Sequence, residues 1–296
     1  MRPNRTHFVI LAVVLVASTL PGCSRAVVEE DTTVAVDRSA DARAERHLNV
    51  AVACGVAGPY GEIKEMFEEA NPGVQLHQEV GNIVTMADRL RDGKSEADLF
   101  MTVGSVALDD LHSEGLLKAP PIEFAEDRLV VLVPEGNPAG IESVEDLAGG
   151  EARTVAIAAG DSTPGHFAEM ALRRAGLWDR LQESLVRAAK PAMLKGFVSE
   201  GRADAALVLL TCATKEAKMG DEPAQGVPDT RIALEVPHQY YDRLVCQTGI
   251  LSTADAPDLA RDFAEFLRQE GPQQVFARWD FMPCEVEAKE GAANEA

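Results

Sequence analysis

The sequence has few aromatic and few basic residues. Aromatics make up 5% of its 296 residues, which argues against stacking platforms for sugars or bases. Lys and Arg number 28 against 48 Asp and Glu, so the formal net charge is −20. A nucleic-acid binder needs a basic face to neutralise phosphates, and this charge balance excludes that class. The hydrophobic fraction of 46% is ordinary for a globular protein.

Long hydrophobic runs are also lacking, except for one near the start of the chain. Arg2 and Arg5 precede an apolar run over residues 8–20, which has the length of a signal-peptide core and is too short to span a bilayer. The run leads into LPGC, ending at Cys23, which resembles the lipobox of bacterial lipoproteins and implies lipidation of Cys23. The alternative is a cleaved signal without lipid. We predict an export signal over residues 1–23 and a lipid-anchored, extracytoplasmic protein.

Weakly patterned segments flank the body of the chain. Residues 24–46 mix charged and small residues and predict a flexible tether. Residues 285–296 are acidic, with few large apolar side chains, and predict a disordered tail. Between them, apolar runs such as LNVAVA and RLVVLV alternate with amphipathic segments. This alternation predicts an α/β fold of mostly parallel sheets covered by helices.

Three junctions between a strand and a helix are rich in small residues: CGVAG over residues 54–58, GNIVT over 81–85 and AGDSTPG over 159–165. In open α/β sheets, ligands bind beyond the carboxyl ends of strands, where helices begin. Helix N-termini offer unpaired N–H groups, so several of them together can hold an anion without Lys or Arg. Each loop alone is equally well explained as an ordinary connection.

The order of these segments resembles the periplasmic molybdate-binding proteins of ABC transporters, which have the type II periplasmic binding-protein fold. The resemblance runs from about residue 48 to 281, and the loop GDSTPG followed by GLWD is its most specific part. The other matching segments are LNVAVACGVAGPYGEIKEMFEEANPGV, ADLFMTVGSVALDDLHSEGLL, EDRLVVLVPEGNP, EGRADAALVLLTCA and FAEFLRQEGPQQVFARWDF. The resemblance implies lobe I over residues 47–126 plus 240–284, lobe II over 130–236, and a ligand cleft between the lobes.

The resemblance also implies what the cleft does. It predicts a monomer without a cofactor that closes around molybdate or tungstate and docks to an ABC transporter permease. The candidate ligand-binding residues are Cys54, Gly55, Asn82, Thr85, Ser162, Thr163 and Cys212. This chain departs from the family in three places. The family usually has a Ser in the first loop, where this chain has Cys54, and the second loop has only the hydroxyl of Thr85. Leu209 and Cys212 stand where the family often has a Tyr and an Asp. A binding protein that has lost oxyanion affinity is therefore an alternative.

The cysteines allow several interpretations. Beyond Cys23 the chain has Cys54, Cys212, Cys246 and Cys284. An even count in an exported protein predicts two disulfides, with three possible pairings. A second hypothesis is a soft-metal or metalloid site made by Cys54, Cys212 and Cys246 with His166. A third is that the cysteines are free, partly buried thiols. A Cys54–His166 catalytic pair would lack an orienting partner. The chain also lacks G-x-S-x-G, H-E-x-x-H and Walker A motifs, so we predict that it is not an enzyme.

Overall fold

The computed structural model describes residues 46–149, 152, 154–214 and 230–283. The export signal with Cys23, the tether before Arg46, the tail over 285–296 and Cys284 lie outside these residues. The first of two sheets contains β1 (Arg46–Ala53), β2 (Val74–Gly81), β3 (Leu99–Val103), β4 (Ile122–Asp127), β10 (Leu244–Ile250) and β11 (Met282–Pro283). The second sheet contains β5 (Leu129–Pro134), β6 (Val155–Ala158), β7 (Leu185–Ala188), β8 (Ala205–Leu209) and β9 (Thr230–Glu235).

Both sheets are mixed. Strand order is β11-β4-β10-β3-β1-β2 in the first and β7-β6-β8-β5-β9 in the second. Strand β1 is parallel to β2 and β3, and β6 is parallel to β7 and β8. Strands β5 and β10 are antiparallel to their neighbours. The sequence pattern suggests mainly parallel sheets, but β5 and β10 enter directly from the other sheet, without the crossover helix that a parallel pair needs.

Helices cover the sheets. They are α1 (Ala57–Ala70), α2 (Ile83–Arg91), α3 (Val106–Ser113), α4 (Thr163–Arg174), α5 (Trp178–Leu181), α6 (Met193–Ser199), α7 (Leu210–Thr214), α8 (Pro257–Phe266) and α9 (Glu270–Arg278). A 3-10 turn, Cys54–Val56, links β1 to α1. Helix α4 begins where the Ser162 side chain caps it, and Gly176 follows it with φ of 70°, a conformation that favours glycine. No helix among the described residues is long and apolar enough to cross a membrane.

The chain crosses between the sheets twice within the described residues. Arg128 alone separates β4 from β5, whereas residues 236–243 separate β9 from β10. The two crossings are in contact, because the Leu129 amide donates to the Tyr241 hydroxyl at 3.3 Å. The predicted α/β class is confirmed by this arrangement of sheets and helices. The lobe boundaries remain a prediction.

Apolar side chains hold the helices on the sheets. Every residue of β3 and β8 is buried, as expected of central strands covered on both faces. Phe124 of β4 stacks on Phe276 of α9 with ring centroids 5.0 Å apart, and Phe67 of α1 meets Phe263 of α8 edge-on at the same distance. Truncating such a buried Phe to Ala costs about 3–5 kcal/mol. This packing fixes the strand ends from which the site loops extend.

Candidate functional site

A small cavity lies where loops of the two sheets meet. It has a volume of about 50 Å³, and because roughly 10–15 Å³ suffices for one water, a ligand of a few heavy atoms fits. Its walls follow the carboxyl ends of β1, β2 and β3 on one side and β6, β7 and β8 on the other. The lining residues are Cys54, Gly55, Asn82, Ile83, Val84, Val103, Ser162, Thr163, Pro164, Pro191, Leu209 and Cys212.

Six of the seven candidate residues therefore line one cavity, although they come from distant parts of the chain. They are Cys54, Gly55, Asn82, Ser162, Thr163 and Cys212. Thr85 lies in the first turn of α2 and does not line it; its amide donates to Asn82 Oδ1 at 3.3 Å. That these residues bind a ligand remains a prediction.

The two hydroxyls in the cavity already donate to carbonyls of the protein. Ser162 Oγ donates to Ala159 O at 2.6 Å and accepts from the Gly165 amide at 3.2 Å. Thr163 Oγ1 donates to Val103 O at 2.9 Å. A hydroxyl has one proton to donate. Neither side chain can therefore donate to a ligand unless its present bond breaks.

The Thr163 bond joins the two sheets, because Val103 ends β3 and Thr163 begins α4 behind β6. The backbone comes very close here: a Cβ added to Gly104 would lie 2.6 Å from Thr163 Cγ2, and the φ of Gly104 is 85°. Only glycine accommodates both the contact and the backbone conformation without strain. The cleft is thus closed at this point by a hydrogen bond and by direct packing.

Among the described residues, the lining of the cavity contains no Lys, Arg, His, Asp or Glu. Its polar side-chain groups beyond the hydroxyls are Asn82 and two free thiols, Cys54 and Cys212. Asn82 Oδ1 already caps α2 by accepting from the Val84 amide at 3.0 Å. An anion here would have to be held by amides and helix dipoles and not by opposite charge.

Both thiols are protonated at neutral pH. Desolvation by burial raises the pKa of Cys54, although backbone hydrogen bonds from the amides of Gly55 and Cys54 lower it in part. The pKa of Cys212 is raised to about 12, chiefly by burial and then by repulsion from Asp127 and from the ionised form of Cys54. Both cysteines line the same small cavity.

A buried carboxyl lies behind Cys212, at the crossing between the sheets. Asp127 is 1% exposed and accepts from Thr211 Oγ1 at 2.5 Å and from the Arg128 amide at 2.7 Å. Burial raises its pKa to about 6, although these hydrogen bonds oppose the shift. Sequence reasoning missed Asp127 and Thr211. The available signal was an Asp two residues before the apolar strand β5, where a buried charge needs partners.

A larger cavity of about 220 Å³ adjoins the first and shares Ile83, Val84, Ser162 and Thr163 with it. Its lining also contains the ionisable residues Arg91, Asp110, Asp161 and His166. Arg91 is held by Glu114 at 2.8 Å and by Asp88 at 3.3 Å. The start of α4 thus forms a wall between a neutral cavity and a charged one.

The cysteine predictions need correction. Cys54 and Cys212 are separate thiols, so the prediction of two disulfides, which needs all four cysteines, is wrong. The structure brings these two thiols together but leaves Cys246 buried in β10 and His166 in the larger cavity. The Cys54–His166 pair is therefore not assembled. Among the described residues no group of three or more His, Cys, Asp or Glu is placed to hold a metal.

The chain is similar to known proteins in both sequence and structure. A family model described as bacterial extracellular solute-binding protein matches residues 48–281. The molybdate-binding protein ModA of Mycobacterium tuberculosis is 30% identical over 102 residues, which cover 34% of this chain and 39% of that relative. The matched region thus spans about two fifths of the relative's length.

Solved structures are similar over more of the chain. The periplasmic molybdate-binding protein of Azotobacter vinelandii matches with a TM-score of 0.62 and 20% identity, covering 79% of this chain and 98% of that one. The sulfate-binding protein SubI from Mycobacterium tuberculosis matches with a TM-score of 0.65 and 15% identity, covering 81% and 88%. At such identities the likeness shows the fold alone.

Proposed function

This chain belongs to the family of bacterial extracellular solute-binding proteins, and we propose that it captures a small oxyanion, molybdate or tungstate, for an ABC transporter. The predicted type II periplasmic binding-protein fold is confirmed by its structural neighbours. Membership of the family also makes it an extracytoplasmic solute-binding protein. The named relatives bind molybdate or sulfate, and the choice of molybdate or tungstate for this chain is part of the proposal.

One observation carries the proposal: the cavity between the sheets is neutral and is bordered by the starts of α2 and α4 and by the 3-10 turn Cys54–Val56. Helix starts carry the positive end of a dipole, equivalent to roughly half a charge. Several of them can therefore hold a tetrahedral oxyanion in a protein whose net charge is −20.

Ligand binding requires an exchange of hydrogen bonds. The sheets move apart, Thr163 Oγ1 leaves Val103 O, and the freed hydroxyl donates to the oxyanion when the sheets close again. The proposed ligand contacts are those predicted from the sequence: Cys54, Gly55, Asn82, Thr85, Ser162, Thr163 and Cys212. Thr85 joins them through a shift of the first turn of α2.

The proposal includes the setting of the protein. It acts as a monomer without a catalytic role, anchored by lipid on Cys23 outside the cytoplasmic membrane. From there it delivers the oxyanion to the permease of an ABC transporter. The alternative of a protein that kept the fold but lost oxyanion affinity predicts no response to either anion.

Thermal unfolding of the purified protein with and without sodium molybdate tests the proposal. At about one hundred times Kd the ligand adds ~2.7 kcal/mol to the free energy of unfolding, which raises the Tm of a protein of this size by roughly 5–10 °C. Sodium tungstate should act alike and sodium chloride should not. An unchanged Tm with both oxyanions would favour the protein without oxyanion affinity.

A pair of variants then tests the site. Thr163→Val removes a hydroxyl and should weaken molybdate binding about tenfold, the value of one hydrogen bond. Thr248→Val removes a hydroxyl buried in β10 outside the cavity and should bind like the wild type. Isothermal titration measures both, and equal affinities in the two variants would exclude Thr163 from the ligand contacts.

A further inference from the structure

We propose that Cys54 and Cys212 form a dithiol site for a neutral, trivalent metalloid hydroxide of the arsenite class. This site lies in the small cavity and goes beyond oxyanion capture, because it works by covalent bonds to sulfur and not by hydrogen bonds to an anion. Neither the family nor any named relative points to it. It rests on the placement of the two thiols and on the charge of their surroundings.

The two thiols face one small space from opposite sides. Cys54 follows β1 of the first sheet, and Cys212 lies in α7, directly after β8 of the second. Both line a cavity of only about 50 Å³, and the charge on one sulfur alters the pKa of the other. A ligand in this cavity contacts both cysteines, one from each sheet, and bonds to both sulfurs would join the two sheets.

The thiols are also the reactive side chains that the cavity leaves available. The hydroxyl protons of Ser162 and Thr163 are committed to Ala159 O and Val103 O, and Asn82 Oδ1 caps α2. Both sulfurs are separate thiols and not disulfides. A ligand that reacts with sulfur can thus bind in the closed arrangement, without breaking the Thr163 bond between the sheets.

The charge around the thiols favours a neutral ligand over a metal cation. Burial raises the pKa of both sulfurs, and the buried Asp127 carboxyl lies behind Cys212. A metal cation needs thiolates, and two thiolates beside Asp127 would bring several negative charges into an apolar space at high cost. A neutral metalloid hydroxide reacts with neutral thiols and leaves a neutral product.

The reaction balances without a redox step. In As(OH)₃, two As–O bonds break and two As–S bonds form, while each thiol proton leaves with a hydroxide as water. The products are one (RS)₂As–OH group and two water molecules, and arsenic stays trivalent throughout. Val103, Leu209 and Pro191 form apolar walls around the two sulfurs.

Titration of the reduced, purified protein with sodium arsenite tests the proposal. One equivalent should bind, and Cys54→Ser and Cys212→Ser should each weaken the affinity at least about 100-fold, because a second attachment within one molecule is worth a factor of roughly 10²–10⁴. Cys246→Ala removes a thiol from β10 outside the cavity and should bind arsenite like the wild type. Circular dichroism verifies the fold of each variant. Cys54, being exposed, provides the test if the Cys212 variant does not fold.

A second readout tests the neutral mechanism itself. Calorimetry at pH 7 in buffers of different ionisation enthalpy should show no net proton release with arsenite, whereas Zn²⁺ binding to two thiols releases protons. Equal arsenite affinity in the wild type and Cys54→Ser would overturn the dithiol site. Tighter binding of Zn²⁺ than of arsenite would overturn its preference for a neutral ligand. Neither result affects the molybdate proposal, because that proposal is tested separately by the change in Tm on addition of molybdate.

Discussion

The two cavities share the starts of α2 and α4 but differ in chemistry. In the part of the chain that the structure describes, the smaller one has no charged lining residue, whereas the larger one contains Arg91, Asp110, Asp161 and His166. Both use the start of α4, with Ser162 and Thr163 as a common wall. The fold therefore determines where ligands can bind, and the side chains at the neighbouring helix starts determine which ligands do. Three variants, each with a control variant, test this contrast.

The largest effect is expected from Gly165→Ala, because this change disrupts the wall that both cavities share. A Cβ at Gly165 would lie 1.9 Å from Ala159 O, a backbone atom that cannot move without reshaping the 159–165 loop. We expect a loss of about 3 kcal/mol in the free energy of unfolding, at the upper end of overpacking costs. Chemical denaturation measures it, and molybdate should no longer raise the Tm.

Gly61→Ala is the matched control. Gly61 lies in α1 with no atom near its added Cβ, so alanine should stabilise the helix by about 0.5–1 kcal/mol. If the two variants were equally stable, the close contact at Gly165 would not matter in solution.

The next effect concerns the carboxyl behind the small cavity. The pKa of Asp127 is raised from 3.8 to about 6 in the folded protein, so the unfolded chain loses this proton first as pH rises. The contribution of Asp127 to the free energy of unfolding is therefore highest below about pH 4, falls between pH 4 and 6 and stays low above. Relative to Asp127→Asn, the wild type should lose about 3 kcal/mol across this range, at 1.36 kcal/mol per pKa unit.

Urea denaturation of both proteins at pH 4 and pH 7 measures this difference. Asparagine keeps the size of the side chain and an oxygen that accepts from the Arg128 amide. Asp258→Asn, at an exposed position of α8, should follow the pH profile of the wild type. A constant difference between the wild type and Asp127→Asn at both pH values would contradict a raised pKa.

The smallest effect is expected on the charged side of the wall. Asp161→Asn removes one negative charge from the larger cavity and should raise the association rate of molybdate by no more than about twofold at low salt. The gain should vanish in 0.5 M salt, which is expected to screen it, since the Debye length is only about 3 Å at 1 M. Stopped-flow kinetics measures it, with Asp179→Asn in α5 as the control away from the cavity. A gain that survives salt would mean a direct role for Asp161 in binding.

Local patterns predict the site loops well. The AGDSTPG segment is predicted as a strand-to-helix junction, and α4 does begin there, with Ser162 as its cap. Small residues after β1 and β2 likewise identify loops that reach the cavity. Strand β4 is not indicated by the sequence, because acidic residues alternate with apolar ones in IEFAED. Its position becomes evident only when β10 and β11 pair with it.

Contacts between distant segments could not be predicted. Thr163 is identified from its loop, but its hydroxyl bonds to Val103, 60 residues away, and that choice depends on how the two sheets pack. The same limit applies to Cys54 and Cys212, whose count suggests disulfides while the structure keeps them as thiols. Sequence spacing carries no information about such long-range geometry.

The unequal length of the two crossings decides how the molecule can move. Arg128 is the single residue between β4 and β5, and its guanidinium is held by Glu235 at 2.8 Å and by Asp280 O at 3.3 Å. Rotation of one sheet against the other must turn about this pinned residue, because the eight-residue crossing can bend while a single residue offers only its own two torsions. A small change in the two torsions of Arg128 therefore changes the angle between the two sheets, and with it the width of the cleft.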